Sequence, residues 1–472
     1  MGRDRGSARR RVHRRGRVDA ERLTDRERAA RLAAARTAAA RAARESYGRL
    51  VALLAASTGD LALAEDALAD AFERALRVWP DAGVPANPDG WLLTVARNRE
   101  RDEWRSAARR RTVPWPADDE SGAPSALAPT GVRGPGSSAP THDPLAELDP
   151  DRIPDRRLEL LFTCAHPAID ASVRTPLMLQ AVLGFEAAEI ARAFAVPPAT
   201  MAQRLVRVKR RIRDARIPFA VPDRRAMAER VPPVLEAIYG CAAIDWRGDA
   251  GTLAGEAQYL AAVFARLLEH EPEAWGLAAL TTLSLARRGA DAAGFVPLDE
   301  QDPSTWDAGL IATGESALRR AARERVGARG DERVDARRDA RGPAPGPGRF
   351  ELEAAIQAVH CDRRRTGTTD WAALRTLYDA LRLVAPSLGA EVARAVVVAR
   401  LDGPEAGLAE LPADASDFQP WWAARADLLA DAGRRREAEE AYRRAAELAD
   451  EADVRAYLAG RAARLEADAQ PG

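Results

Sequence analysis

Proline placement in residues 185–213, FEAAEIARAFAVPPATMAQRLVRVKRRIR, constrains the fold more than any other feature of this chain. Pro197 and Pro198 cannot continue a preceding helix, because proline lacks the N–H and its ring clashes with the turn before it. Pro198 nevertheless suits the first turn of a new helix, where no N–H is needed and φ is already set. The segment therefore reads as two short helices around a tight turn. Ile190, Ala191 and Phe194 share one face of the first helix, and Met201, Leu205, Val208 and Ile212 recur at helical spacing in the second, so two apolar stripes can meet. The opposite face of the second helix carries Gln203, Arg204, Arg207, Lys209, Arg210 and Arg211, with no acid before Asp214.

A helical hairpin with a solvated basic face is the plain alternative. A helix-turn-helix explains more, since it lays the start of its second helix on base edges and grips phosphate further along. On that geometry Ala199, Thr200, Ala202, Gln203 and Arg204 meet the major groove, while Arg207, Lys209, Arg210 and Arg211 meet the backbone. Gln203 suits adenine and Arg204 suits guanine, each pairing contributing about 1–3 kcal/mol of discrimination.

Composition sharpens this reading by removing others. The chain has 71 basic and 71 acidic side chains in 472 residues, so attraction to nucleic acid must be regional. Lys209 is the one lysine among those cations, so counting arginines is uninformative and their location must decide. Cys164, Cys241 and Cys361 lie too far apart for a disulfide framework or paired zinc spacing, which points to the cytoplasm. Cys164-Ala165-His166 has no second metal-ligand pair nearby. No segment reaches the length of a membrane span, and no apolar run follows the basic N-terminus to make it a secretory signal. Phosphate loops, nucleophilic triads and metal-ligand clusters are also missing from the sequence, so neither an enzyme nor a cofactor is expected.

Helical periodicity dominates, and the fold class expected is all-α. Residues 1–44 read as a basic arm, disordered or partly helical. Residues 45–111 form a first compact block. The Pro/Gly/Ser/Ala-rich stretch 112–151 reads as a flexible linker, spanning about 130 Å when stretched and about 35 Å as a coil. The helix-turn-helix block runs over 152–222, and a helical extension over 223–465 contains a polar insert around 325–349. Near its end Trp422, Gly433, Ala438, Tyr442 and Ala445 stand at offsets similar to those of a tetratricopeptide repeat, which stacks with neighbours and commonly binds peptide or protein.

Two helices stand out in the first block. LALAEDALADAFERALRVW turns Leu61, Leu68, Ala71, Phe72, Ala75 and Leu76 inward and Glu65, Asp66, Asp70, Glu73 and Arg74 outward. GWLLTVARNRERDEWRSAARRR buries Trp91, Leu92, Val95 and Ala96 and presents Arg97, Asn98, Arg101, Asp102, Arg105, Arg109 and Arg110. Here the chain resembles a bacterial sigma factor of the extracytoplasmic-function type. AEDALADAFERAL resembles the region 2 helix that docks on RNA polymerase, NPDGWLLTVARNRERDEWRSAARR the adjoining helix that melts and reads the −10 element, and FEAAEIARAFAVPPATMAQRLVRVKRRI the region 4 reader of the −35 element. LLFTCAHPAID, VPLDEQDPSTWDAGLI, ELEAAIQAVH and TDWAALRTLYDAL resemble the subgroup with a long tetratricopeptide-like extension.

The resemblance implies two small sigma domains, core RNA polymerase and promoter DNA as partners, and regulation by the extension. It assigns Asp66, Asp70, Phe72 and Arg74 to polymerase docking and Asn98, Arg101, Asp102 and Arg105 to the −10 strand, with Trp91 and Trp104 stacking or packing. The alternatives are a one-component helix-turn-helix regulator that needs no polymerase, and an adaptor whose repeat array is the working part.

Overall fold

A computed structural model describes residues 5–111, 156–245, 251–288, 295–335, 346–413 and 415–467. Among these residues the regular structure is helical and no strand occurs, so the chain is all-α. It divides into two compact units, 1–234 and 235–472.

The first unit holds α1 (Arg5–Thr58), α2 (Leu61–Ala82), α3 (Pro88–Arg111), α4 (Arg157–Cys164), α5 (Ala171–Ala181), α6 (Ala187–Ala193), α7 (Pro198–Asp214) and α8 (Arg224–Met227). Helix α9 (Val231–Asp245) runs across the division. Helix α1 passes without a break through residue 44, where the arm was expected to end. Alanine is the strongest helix former, and Ala35, Ala39, Ala42, Leu50 and Leu54 fall on one buried stripe, so the second half of that arm is core.

Helices α1, α2 and α3 share an apolar centre of Leu50, Leu54, Leu61, Leu68 and Leu92, all fully buried. Asp60 caps α2 by accepting from the Ala62 and Leu63 amides. Asp89, in the first turn of α3, accepts from Ser46 Oγ at 2.6 Å and Arg49 Nη2 at 2.9 Å, which fastens α3 to α1. The inward stripe of α2 runs Leu61, Ala64, Leu68, Ala71, Ala75, Trp79. Trp79, edge-on to Trp91 at 5.4 Å, closes the end of this core. Leu76, expected inside, is therefore turned out and 42% exposed, and Phe72 is only half-buried.

Helices α4–α7 do not stand apart from this block. Helix α4 packs on α1 and α7 packs on α2. Gly48 of α1 lies so close to Val182 that a Cβ there would stand 1.7 Å from the Val182 carbonyl oxygen, a distance only glycine permits. The expected linker at 112–151 lies outside the described residues.

The second unit holds α10 (Gly251–Leu267), α11 (Pro272–Leu285), α12 (Ala308–Asp335), α13 (Arg349–Thr366) and α14 (Trp371–Val384). It continues with α15 (Leu388–Asp402), α16 (Pro404–Glu410), α17 (Gln419–Asp431), α18 (Arg435–Glu447) and α19 (Ala452–Ala467). Most of these helices pack on the next in sequence, as stacked repeats do. Helices α11 and α13 meet where Gly276 lets the Glu351 amide approach, and the Glu273 carboxylate accepts from the Phe350 and Glu351 amides at the start of α13. Part of the expected polar insert is helix: Arg325, in the second half of α12, grips the Glu351 carboxylate with both Nε and Nη2. Residues 336–345 of that insert lie outside the described residues.

Candidate nucleic-acid interface

Helix α6 is short and firmly started. Glu186 and Glu189 form a reciprocal capping box, with the Glu189 carboxylate accepting from the Glu186 amide at 2.8 Å. After α6 the chain reverses through Ala195, whose φ of 50° is a left-handed conformation rare for alanine. Pro197 occupies the N-cap position of α7 and Pro198 its first turn, as the sequence requires. Ile190 and Ala191 on α6, and Met201, Leu205, Val208 and Ile212 on α7, are all buried. Phe194 is the exception at 40% exposure, because it falls on the last residue before the chain leaves α6.

This packing sorts the polar residues of α7 into two edges. Ala199, Ala202, Gln203, Arg207, Arg210 and Arg211 are exposed, while Thr200 and Arg204 are partly so. Arg207 Nε reaches back to the Gln203 carbonyl at 3.3 Å, and the Asp170 carboxylate, capping α5, lies within electrostatic reach of Arg204. Among the described residues no acid stands within ion-pair distance of Arg204, Arg207, Arg210 or Arg211. Val206, 49% exposed and one turn beyond Gln203, shares this open edge. The sequence reading assigns Val206 no role, although its offset from the buried stripe is enough to show that it faces out.

The other edge is closed. Lys209 donates to Glu65 of α2, and the two side chains are 11% and 12% exposed. Burial pushes the Glu65 carboxyl up from its ordinary range, and the Lys209 ammonium pulls it back. Arg213 Nη1 approaches the Asp60 carboxylate at 3.6 Å beside this pair. Lys209, expected on the DNA backbone, is thus turned into the seam between α2 and α7. The reason is geometric: it lies one residue past Val208, on the border of the buried stripe.

Among the described residues, those assigned in the first block lie on its surface, except Phe72, which is half-buried. Asp66 and Arg74 are exposed, and Asp70 accepts from Arg99 Nε at 2.6 Å. Arg99, absent from the sequence-derived set, also donates to Glu103 at 3.0 Å and so ties α2 to α3. Asn98, Arg101 and Asp102 sit together on the exposed side of α3, with Arg101 Nη1 3.5 Å from the Asn98 oxygen. The Trp104 and Arg105 side chains lie outside the described residues. Behind that surface Glu100 is 4% exposed, and one of its carboxylate oxygens has no hydrogen-bond partner among the described residues. Burial raises this carboxyl to about 7, with Arg97 opposing.

Residues 43–110, the three-helix block of α1 to α3, match the family model for sigma-70 region 2. This block is a sigma-70 region 2. Residues 230–322 match a family of unknown function, DUF6596. An uncharacterized protein of Rhizobium meliloti (strain 1021) is 35% identical over 414 residues, covering 84% of this chain and 89% of that one, and the two belong together. No solved structure matches the chain. The sigma-70 region 2 speaks for a role in transcription initiation. Elsewhere in the first unit, Cys164 is fully buried, which excludes it from an open metal site, and burial pushes its thiol up. His166 accepts from the Ala168 amide. Among the described residues no helix is long and apolar enough to cross a membrane, and no three His, Cys, Asp or Glu side chains converge as metal ligands.

Proposed function

We propose that this chain is a cytoplasmic promoter-specificity subunit of RNA polymerase, of the extracytoplasmic-function type, whose helical extension regulates it. The observation that carries the reading is a sigma-70 region 2 packed beside a helical hairpin whose second helix bears an open cationic edge with no acid at ion-pair distance among the described residues. Asp66, Asp70, Phe72 and Arg74 dock on core polymerase. Asn98, Arg101, Asp102 and Arg105 hold unstacked bases of the −10 strand; unstacking costs a few kcal/mol per step, offset by docking and by cation contacts to the single strand.

Helix α7 reads the −35 element. Ala199, Thr200, Ala202, Gln203 and Arg204 lie against base edges, Arg207, Arg210 and Arg211 against phosphate, and Val206 is suited to a thymine methyl group. Lys209 joins them only after it leaves Glu65. Opening of the α2–α7 seam is therefore the step on which regulation acts, and the extension acts by contacting the closed and open states unequally. Trp79–Trp91 packing supports a structural role for Trp91.

Purified protein added to core polymerase is expected to start transcripts at a subset of promoters of its own genome. Folded protein that gives no core-dependent transcript would remove the proposal. Glu65→Gln, which frees Lys209, is expected to raise duplex binding in the presence of core; unchanged binding would confine the seam to a structural role.

A further inference from the structure

A cavity of about 280 Å³ opens in the second unit between α13, α14, α15 and α17, closed on one side by Leu298 and Asp299. Its size is at the lower end for small-molecule sites. One wall is apolar, built from Val396, Val397, Leu428 and the rings of Trp371 and Tyr378. The charges are not spread evenly over the rest.

At the α17 end stand Asp427 and Asp431, with Asp299 near enough that Asp299 and Asp431 both oppose ionisation of Asp427. Asp427 is engaged by Arg461 at 3.2 Å and by the Tyr442 hydroxyl, and Asp299 by Arg400 at 3.2 Å. Asp431 has neither ion pair nor hydrogen bond among the described residues.

At the α13 end stand His360 and Arg363. Arg363 donates to the Gln301 carbonyl and lies over the Trp306 ring, contacts that leave its positive charge without a carboxylate. Behind them Arg287 is 5% exposed, and among the described residues its partner is the uncharged Gln357 side chain, with Nε unpaired. A buried guanidinium without a carboxylate is costly unless some anion compensates it. Its field and that of Arg363 reach His360, which burial together with these cations lowers to about 4 and so keeps neutral. Arg287 also reaches Tyr378.

We infer that this cavity binds a zwitterion of amino-acid size with an apolar side chain, its ammonium at Asp431 and its carboxylate at Arg363 and His360. The source of such a molecule is either a free amino acid or a short peptide with free ends. An ammonium pairs with Asp431, whose neighbours Asp427 and Asp299 are already engaged by Arg461 and Arg400, a carboxylate compensates the arginine side, and the apolar wall takes the side chain. This goes beyond a role in promoter recognition and needs neither polymerase nor DNA, so its failure and that of the transcription reading are separable.

The test is calorimetric titration of the full chain with phenylalanine, the dipeptide Phe-Gly, N-acetylphenylalanine and phenylalanine amide. Phenylalanine or Phe-Gly is expected to bind, and whichever is tighter identifies the source; the two singly charged analogues should each be about tenfold weaker or worse. Asp431→Asn, at an exposed position that leaves the fold intact, should weaken phenylalanine about tenfold and leave N-acetylphenylalanine unchanged. Val396→Trp, verified as folded by its thermal transition, should abolish binding of all four. Absence of binding at millimolar concentration, equal affinity for zwitterion and amide, or wild-type affinity in Asp431→Asn would each overturn the inference.

Discussion

Arginine serves opposite purposes at the helix contacts of the second unit and on the open edge of α7. In the second unit arginines brace helices: Arg325 grips Glu351, Arg394 joins Asp379 and Glu410 at 2.6 Å each, and Arg375 meets Asp402 at 2.8 Å. On the open edge of α7 in the first unit, Arg207, Arg210 and Arg211 face no acid at ion-pair distance among the described residues. An arginine with a carboxylate across from it has its fork satisfied within the protein. One without keeps both charge and donors for an external anion, and phosphate fits that fork. With charges exactly balanced overall, the difference lies wholly in where the acids are placed.

The comparison can be broken hardest at the buried brace. Arg325→Ala leaves Glu351, 5% exposed, without its counter-charge, and is expected to lower stability by about 3–5 kcal/mol in denaturant unfolding. A loss no larger than that of a surface pair would show that the brace is not needed. A smaller effect concerns Glu100, an acid of the first unit with an unsatisfied oxygen. Its carboxyl sits near 7 in the fold, above its unfolded value, so the folded state favours the protonated form. Stability from this group is full below about pH 4.5 and is lost as pH rises toward 7, by up to about 3 kcal/mol. Glu100→Gln should flatten that part of the stability profile, and an unchanged slope would locate the titration elsewhere.

On the α7 edge the expected effects fall on binding and not on folding. Gln203→Ala should cost about 1–3 kcal/mol at one position of the −35 element and leave other positions alone, read by competition among single-base variants. Arg210→Ala should weaken every sequence alike and reduce the slope of log affinity against log salt by about one unit, with the unfolding midpoint unmoved. A specificity change at Arg210, or a uniform loss at Gln203, would reverse the roles.

Much of this architecture was legible in the sequence because periodicity and proline are local signals. The Pro197-Pro198 step fixed the start of α7, and the stripe Met201, Leu205, Val208, Ile212 is buried as its spacing implied. Likewise Ala438, Tyr442 and Ala445 pack inside the α17–α18 hairpin, which Gly433 turns at φ 76°. What escaped was non-local. Nothing near Lys209 in the chain announces Glu65, and nothing near Gly48 announces the Val182 carbonyl, so the seam between the two blocks of the first unit is visible only once the fold is known. Leu76 was misplaced because Trp79 took the inward position on α2. Arg287, which lies behind the cavity of the second unit, belongs to no motif, and nothing in ELEAAIQAVH singles out its last residue, His360, as a cavity wall.

Footprinting of a promoter from the chain's own genome, with and without core polymerase, tests the central claim most directly. The account predicts protection of the −35 element and opening of the −10 element only when core is present, with Arg210→Ala and Gln203→Ala affecting the −35 protection alone. Equal protection of the duplex by the chain without core, or none with it, would contradict the account.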